Sequence, residues 1–175
     1  MLAVIAYPLL SGADRARIQS VREQHDPQFG GLDPHFTLVF PVDAALSDVV
    51  AETTVVANSS AAFPFVLNSV RAVKDAFDVG GHVFLIAEQG ASQIVAIRDR
   101  LYGGSLKAAH RADIPYVPHI TLAAYADFSR CQALARELED GLIAAAGRVD
   151  ALTVVDVSKG AVRPVASVPL TGTTR

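Results

Sequence analysis

The sequence predicts an α+β fold built largely from antiparallel sheets. Its strands and helices are mixed along the chain in the order β α β α β β α β α β β, and two strand pairs are joined by short glycine-containing links typical of hairpins. The glycine patterns of nucleotide-binding parallel folds, GxGxxG and GxxxxGK[ST], are absent. These observations favour antiparallel pairing over a doubly wound parallel sheet.

Apolar and β-branched runs that end at proline, glycine or polar turns predict seven strands. They are Leu2–Tyr7, His35–Phe40, Phe63–Val73, His82–Glu88, Ile120–Tyr125, Val149–Val157 and Ala161–Leu170. The first strand ends at Pro8. The link at 74–81 contains Asp78 and Gly80, and the link between the last two strands contains Lys159 and Gly160. Both links predict hairpins.

Apolar residues spaced three and four apart predict four helices. They are Ala16–Gln24, Ser47–Ala57, Ser92–Leu101 and Arg130–Ala146. The last has the clearest pattern, with Leu134, Leu138, Leu142 and Ala145 on one face and Gly147 just past its end.

Composition indicates one globular domain over residues 1–175, either undivided or as two small lobes that share a core. Of the 175 residues, 51% are hydrophobic and 19% are charged, which excludes long intrinsic disorder. Cys131 is the only cysteine, so a disulfide framework and a thiolate metal cluster are excluded as well.

The charge balance restricts the partners that the protein can bind. The net charge is −3 and no Lys/Arg run occurs, which argues against a grip on extended duplex nucleic acid but leaves room for a small phosphate site. The apolar start breaks at Pro8 and no stretch approaches 18 apolar residues, so we expect no membrane partner and a cytoplasmic location. We also expect a monomer.

A five-residue pattern occurs twice. Pro-His-Phe-Thr-Leu at 34–38 recurs as Pro-His-Ile-Thr-Leu at 118–122, with position 119 lying 84 residues after position 35. On a strand, residues i and i+2 share a face, so each His and its Thr face the same way while the intervening residues point into a core. If the two halves are related by a twofold axis, His35, Thr37, His119 and Thr121 line one cleft.

Two imidazoles and two hydroxyls suit a phosphodiester. With an ordinary pKa near 6.5, a neutral imidazole takes a proton from the attacking oxygen and a protonated one gives a proton to the leaving oxygen. The threonine hydroxyls donate to the non-bridging phosphate oxygens. This chemistry needs no metal and no cofactor. A lone histidine on a β-strand is more often structural than catalytic. The hypothesis of a shared phosphate site therefore rests on the repetition of the His-x-Thr pattern.

At these residues the chain resembles the two-histidine (2H) phosphoesterase superfamily, which includes the RNA 2′,3′-cyclic phosphodiesterases, also called 2′-5′ RNA ligase-like proteins. Its signature is two H-x-[ST]-hydrophobic motifs half a chain apart. The resemblance implies a bilobal α+β fold with two pseudo-symmetric sheets around a central cleft and helices outside. It also implies metal-independent cleavage of a cyclic phosphate on a nucleotide or RNA end. His35 and His119 would be the acid–base pair, and Thr37 and Thr121 the phosphate ligands.

The chain departs from this family at one place. Many RNA ligase-like members carry an arginine just beyond the second motif, where this sequence has Ala123, Ala124 and Tyr125. That difference weakens the case for RNA as the substrate and for ligation. Three hypotheses stay open: a cyclic phosphodiesterase, a nucleotide-binding module without turnover, and a 2′-5′ RNA ligase. Which histidine is the base also stays open.

Four aromatic residues flank the predicted cleft in the sequence and are candidates for stacking on a base, although core packing is their more common role. They are Tyr7, Phe36, Tyr116 and Tyr125. His82 starts a strand whose alternation is compatible with the cleft or with the edge of the core. Three cations, Arg71, Lys74 and Arg111, are candidates for holding a second phosphate, although exposed cations are usually only solvated.

Overall fold

The protein was analysed as a computed structural model that describes residues 1–76, 79–141, 143–158 and 160–173. Over these residues its strands are β1 (Leu2–Ala6), β2 (Leu9–Leu10), β3 (Phe36–Val42), β4 (Phe63–Lys74), β5 (Gly81–Gln89), β6 (His119–Tyr125), β7 (Ala145–Val149), β8 (Ala151–Asp156) and β9 (Arg163–Pro169). The helices are α1 (Gly12–His25), α2 (Leu46–Asn58), α3 (Ala91–Leu101) and α4 (Phe128–Asp140).

The strands form two antiparallel sheets, which confirms the predicted fold class. One sheet has four strands in the order β3-β1-β8-β9, and the other has five in the order β2-β7-β4-β5-β6. The predicted hairpins are present as the pairs β4–β5 and β8–β9. Asp78 and Lys159, which the sequence assigned to their links, lie outside the described residues.

The helix predicted over 130–146 is wrong in its last turns. The helix α4 ends at Asp140, and Ala145 instead begins β7, where it lies opposite Leu67 of β4. Alanine favours a helix only weakly, by less than about 1 kcal/mol per residue over most alternatives. Backbone pairing with β4 and burial of Ala145 therefore decide the local structure. Leu142 lies outside the described residues.

Each motif strand has a helix packed against it. The helix α1 follows β2 and packs on β6, which lies in the same sheet as β2, whereas α3 follows β5 and packs on β3 of the other sheet. Their apolar faces are buried through Ile18 on α1 and through Ile94 and Ile97 on α3. Burying each such side chain contributes about 1.5–3 kcal/mol. The helix α3 therefore connects the two sheets, because it contacts both β3 and β5, and each helix supports a strand that carries the repeated motif.

Residues of both sheets join one hydrophobic core, which also contains Cys131. This cysteine is buried and packs like a small apolar side chain. No helix in the described part of the chain is long and apolar enough to span a membrane.

The two strands that carry the motif are both edge strands. Strand β3 is the edge of the four-stranded sheet and β6 is the edge of the five-stranded sheet. They contact each other but do not pair. This apposition of two sheet edges creates the cleft described next.

Candidate active site

A cleft of about 520 Å³ lies where β3 and β6 face each other. Its lining includes both histidines and both threonines of the repeated motif, His35, Thr37, His119 and Thr121. The structure therefore brings together the four residues that the repeat singled out.

The two motifs have the same alternation of burial. In each segment, 34–38 and 118–122, the proline, the third residue and the leucine are buried, whereas the histidine and the threonine are half-buried. Phe36 and Ile120 have no exposed surface at all. The apolar residues fix each strand to the core, and this fixes the direction of the intervening His and Thr side chains.

The repeat extends to an irregularity in the backbone. In β3 the register moves from Ile5 opposite Thr37 to Val4 opposite Val39, which leaves Leu38 as a bulge. In β6 it moves from Phe84 opposite Thr121 to Val83 opposite Ala123, which leaves Leu122 as a bulge. Bulges re-aim side chains next to functional sites. Here both follow the motif threonine directly.

Both imidazoles are oriented by the same hydrogen bond. The Nδ1 of His35 is 2.8 Å from the carbonyl oxygen of Asp33, and the Nδ1 of His119 is 2.6 Å from that of Val117. A carbonyl oxygen only accepts, so each Nδ1 carries the proton and donates it. Each Nε2 is thereby left as the ring nitrogen available to a ligand in the cleft, with a lone pair when the ring is neutral.

The cleft lowers the pKa of both histidines. Burial is the main cause in each case, because it disfavours the charged ring. For His119 the pKa falls to about 4, with further lowering by the charges of His35 and His82. The sequence suggested one neutral and one protonated ring near neutral pH. The structure instead favours two neutral rings. One ring must therefore take up a proton from solvent before it can act as an acid, and a bound anion would favour that protonated form.

His119 is the end of a stack of three rings. Its ring lies 3.4 Å from that of Phe84, and Phe84 lies 5.7 Å from His82, with interplanar angles of 18° and 15°. The Nε2 of His82 is 2.7 Å from Oδ2 of Asp75. The sequence allowed two positions for His82, the cleft or the edge of the core. In the structure His82 lines the cleft.

The aromatic candidates have different positions. Tyr116 lines the cleft, and its hydroxyl donates to the carbonyl oxygen of Thr37. The ring of Tyr7 meets that of His35 edge-on at 6.5 Å. The prediction that Phe36 stacks on a base is wrong. Its side chain has no exposed surface and its ring packs 5.2 Å from that of Phe65, so no substrate contacts it. The alternation that aims His35 outward necessarily aims Phe36 inward.

The last aromatic candidate, Tyr125, is tied to the neighbouring helix. Its hydroxyl is 2.6 Å from Nδ1 of His25 on α1, and the guanidinium of Arg130 lies 4.2 Å from its ring.

Lys74 lines the cleft and is exposed, with its ammonium 5.7 Å from the ring of Phe128. Within the described ranges, no group of three or more His, Cys, Asp or Glu side chains is placed to hold a metal ion.

Sequence reasoning missed two buried arginines behind the motifs. Arg22 on α1 is 1% exposed and Arg98 on α3 is 4% exposed. A signal was present, because the pattern Ile-x-x-[Val/Ile]-Arg occurs at 18–22 and again at 94–98. Arginine is rarely buried unless it is held by partners, so a repeated arginine on an apolar helix face indicates a structural or functional role.

Solved structures with this fold cover nearly the whole chain. TT0787 of Thermus thermophilus superposes with a TM-score of 0.65 at 18% identity, over 98% of each chain. E. coli LigT, solved with 3′-AMP, gives 0.58 at 16% identity over 97% of each. Usb1 of Kluyveromyces marxianus gives 0.56 at 10% identity over 97% of each. At these identities the likeness shows a common fold. No curated protein matches the sequence.

A family model gives the assignment. The model of the 2′-5′ RNA ligase superfamily matches residues 10–161, a span that includes both motifs and most of the chain. The suspected resemblance to the 2H phosphoesterases is thereby confirmed, and this chain belongs to the 2′-5′ RNA ligase superfamily.

Proposed function

We propose that this protein is a metal-independent phosphoesterase that hydrolyses a 2′,3′-cyclic phosphate on a nucleotide or RNA end. The observation that carries the proposal is the convergence of two His–Thr pairs on one cleft, each with its histidine Nε2 available. The substrate arrives as an anion, which favours the protonated form of one imidazole through charge attraction.

The reaction balances with the groups present. The neutral imidazole removes a proton from water while the water oxygen bonds to phosphorus. The bond from phosphorus to the 2′ or 3′ oxygen breaks, and the protonated imidazole gives that oxygen its proton. Each general acid or base contributes roughly 10²–10⁴-fold. The product is a phosphomonoester, and one proton transfer between the two rings restores the starting state.

The threonine hydroxyls support this role. Among the described residues, neither Thr37 nor Thr121 donates its hydroxyl hydrogen to another group, and both side chains line the cleft. They are placed to donate to the non-bridging oxygens, which gain charge as the water attacks. In support, E. coli LigT has been solved with 3′-AMP and with phosphate, ligands that resemble a product of this chemistry.

The test is turnover of a panel of 2′,3′-cyclic nucleotides and cyclic-phosphate oligonucleotides, with a chelator present. We expect the wild type to be active and His35→Ala and His119→Ala each to lose roughly 10²–10⁴-fold in kcat. His110→Phe is the matched control, because His110 is exposed and does not line the cleft, and phenylalanine keeps a ring beside Tyr102. Full activity of both cleft variants would overturn the proposal.

The family assignment favours a second candidate, 2′-5′ RNA ligation, in which a hydroxyl of a second RNA replaces water as the attacking group. Gel assays with cyclic-phosphate RNA ends and an RNA acceptor separate the two reactions. Ligand binding without any product would instead identify a nucleotide-binding module.

A further inference from the structure

Two tyrosine hydroxyls hold the outer edge of β3. The amide N–H of Phe40 donates to the Tyr102 hydroxyl over 3.1 Å, and the Tyr116 hydroxyl donates to the carbonyl oxygen of Thr37 over 2.9 Å. An antiparallel strand alternates the direction of its backbone groups, so residues 37 and 40 would ordinarily face opposite ways. The bulge at Leu38 brings them to the same edge.

Both tyrosines belong to the other half of the molecule. Tyr102 follows the last residue of α3, and Tyr116 lies three residues before His119. A hydroxyl occupies each of these β3 backbone groups where a neighbouring strand would otherwise bind. Exposed sheet edges tend to pair with any strand they meet. These hydroxyls therefore connect the backbone of β3 to the second half through side-chain hydrogen bonds rather than through pairing with β6.

A buried cation lies between the two rings. The guanidinium carbon of Arg98 is 4.4 Å from the centre of the Tyr116 ring and 5.1 Å from that of Tyr102. The Nε of Arg98 is buried and has no hydrogen-bond partner among the described residues. Desolvation raises the pKa of both tyrosines, so both keep their hydroxyl hydrogens over the working range of pH. One guanidinium thus makes cation–π contacts with both rings and stabilises their positions relative to each other.

We propose that Tyr102, Arg98 and Tyr116, here named the tyrosine clamp, are positioning residues that set the distance between the two His–Thr pairs. The Tyr116 hydroxyl joins the backbone of Thr37 directly to the segment that leads into His119. This inference rests on the proposed function. Acid–base catalysis by two groups on one phosphorus is sensitive to spacing, since an error near 1 Å costs on the order of 10²-fold.

The test uses Tyr116→Phe, which removes one hydroxyl and keeps the ring on Arg98. We expect kcat to fall roughly 10-fold or more while KM changes by less than about 2-fold. Thr53→Val is the matched control, because its hydroxyl also donates to a buried carbonyl oxygen, on α2 and outside the cleft. The control should keep its kcat. Tyr102→Phe should lower kcat as Tyr116→Phe does. The double variant should lose less kcat than the product of the two single fold-losses.

A second readout does not depend on turnover. Loosening the clamp admits water to the cleft, so the pKa values of His35 and His119, measured by NMR titration, should both move up towards 6.5 in Tyr116→Phe. They should not move in Thr53→Val. If the wild type has no turnover, the proposed function fails while this titration still tests the clamp. Unchanged histidine titration in both tyrosine variants, or unchanged kcat in an active protein, would overturn it.

Discussion

A buried arginine supports the segment before each motif, but the two arginines have different partners. Arg22 bonds the Asp26 carboxylate at 2.8 Å and the Leu32 carbonyl oxygen at 2.6 Å, so it braces the loop that leads to His35. Arg98 has no buried carboxylate partner among the described residues and lies between two tyrosine rings that grip β3. The two helices carry arginine at matching positions of the repeated pattern, but the groups around the two arginines differ. Arg22 therefore supports a loop of its own half. Arg98 instead contacts tyrosines whose hydroxyls bond to β3 in the other half.

The two motif histidines, like the two arginines, have different surroundings. His119 stacks on Phe84 with His82 beyond it, and its pKa is lowered to about 4. His35 meets Tyr7 only edge-on, and its pKa is lowered with partial compensation from Asp33 and Asp26. A symmetric motif is therefore placed in an asymmetric cleft, which gives two chemically distinct imidazoles for two distinct proton transfers.

The largest expected difference between the halves is in stability. Arg22→Met should destabilise the protein by roughly 3–5 kcal/mol, because it leaves the buried Asp26 carboxylate without its cation. Arg98→Met should cost less, about 1–2 kcal/mol, because it removes the contacts with two tyrosine rings but leaves no buried carboxylate without a partner. Urea denaturation of both variants measures the difference. Adding Asp26→Asn should recover part of the Arg22→Met loss, and equal losses at the two positions would contradict the comparison.

The next effect concerns the two hydroxyls. Thr37→Val and Thr121→Val keep the shape and strand preference of threonine, and each should lower kcat by roughly 10²-fold, as loss of one donor to a developing oxyanion does. Steady-state kinetics on a cyclic nucleotide measures this. Thr53→Val again serves as control. If only one of the cleft variants lost activity, the two threonines would not share one phosphate.

The smallest effect is a pH dependence of stability. A histidine pKa lowered in the folded state means that the unfolded chain binds the proton first as the pH falls. Stability present above about pH 6.5 is therefore lost as the pH falls towards 4. With its pKa at about 4, His119 should account for about 2 kcal/mol between pH 7.5 and pH 5.

Urea denaturation at the two pH values, with His35→Gln and His119→Gln, checks this. Substitution of His119 should remove more of the pH dependence than substitution of His35 does. A wild type whose stability does not change between the two pH values would contradict the lowered pKa.

The sequence alone predicted the part of the site that depends on local alternation. Once His35 and Thr37 lie on a strand with Phe36 buried, their shared face follows from the period of two. It did not predict the bulge at Leu38, since the register of a strand depends on its partner. Nor did it find the role of Arg98, whose aromatic partners come from separate segments that only the tertiary fold brings together.

The same limit explains the error at the end of α4. Residues 141–146 read as a continuation of a helix, and only the presence of β4 beside them makes Ala145–Val149 a strand. Pairing between distant segments overrides local preference, and a single sequence carries little information about it.

The central claim is that His35 and His119 act on one phosphorus atom, and ligand titration followed on the histidine ring signals by NMR tests it most directly. With 3′-AMP as ligand, both rings should shift along one binding curve of 1:1 stoichiometry, and His119→Ala should weaken the response of His35. A response from one ring only, or two curves with different Kd values, would contradict the account.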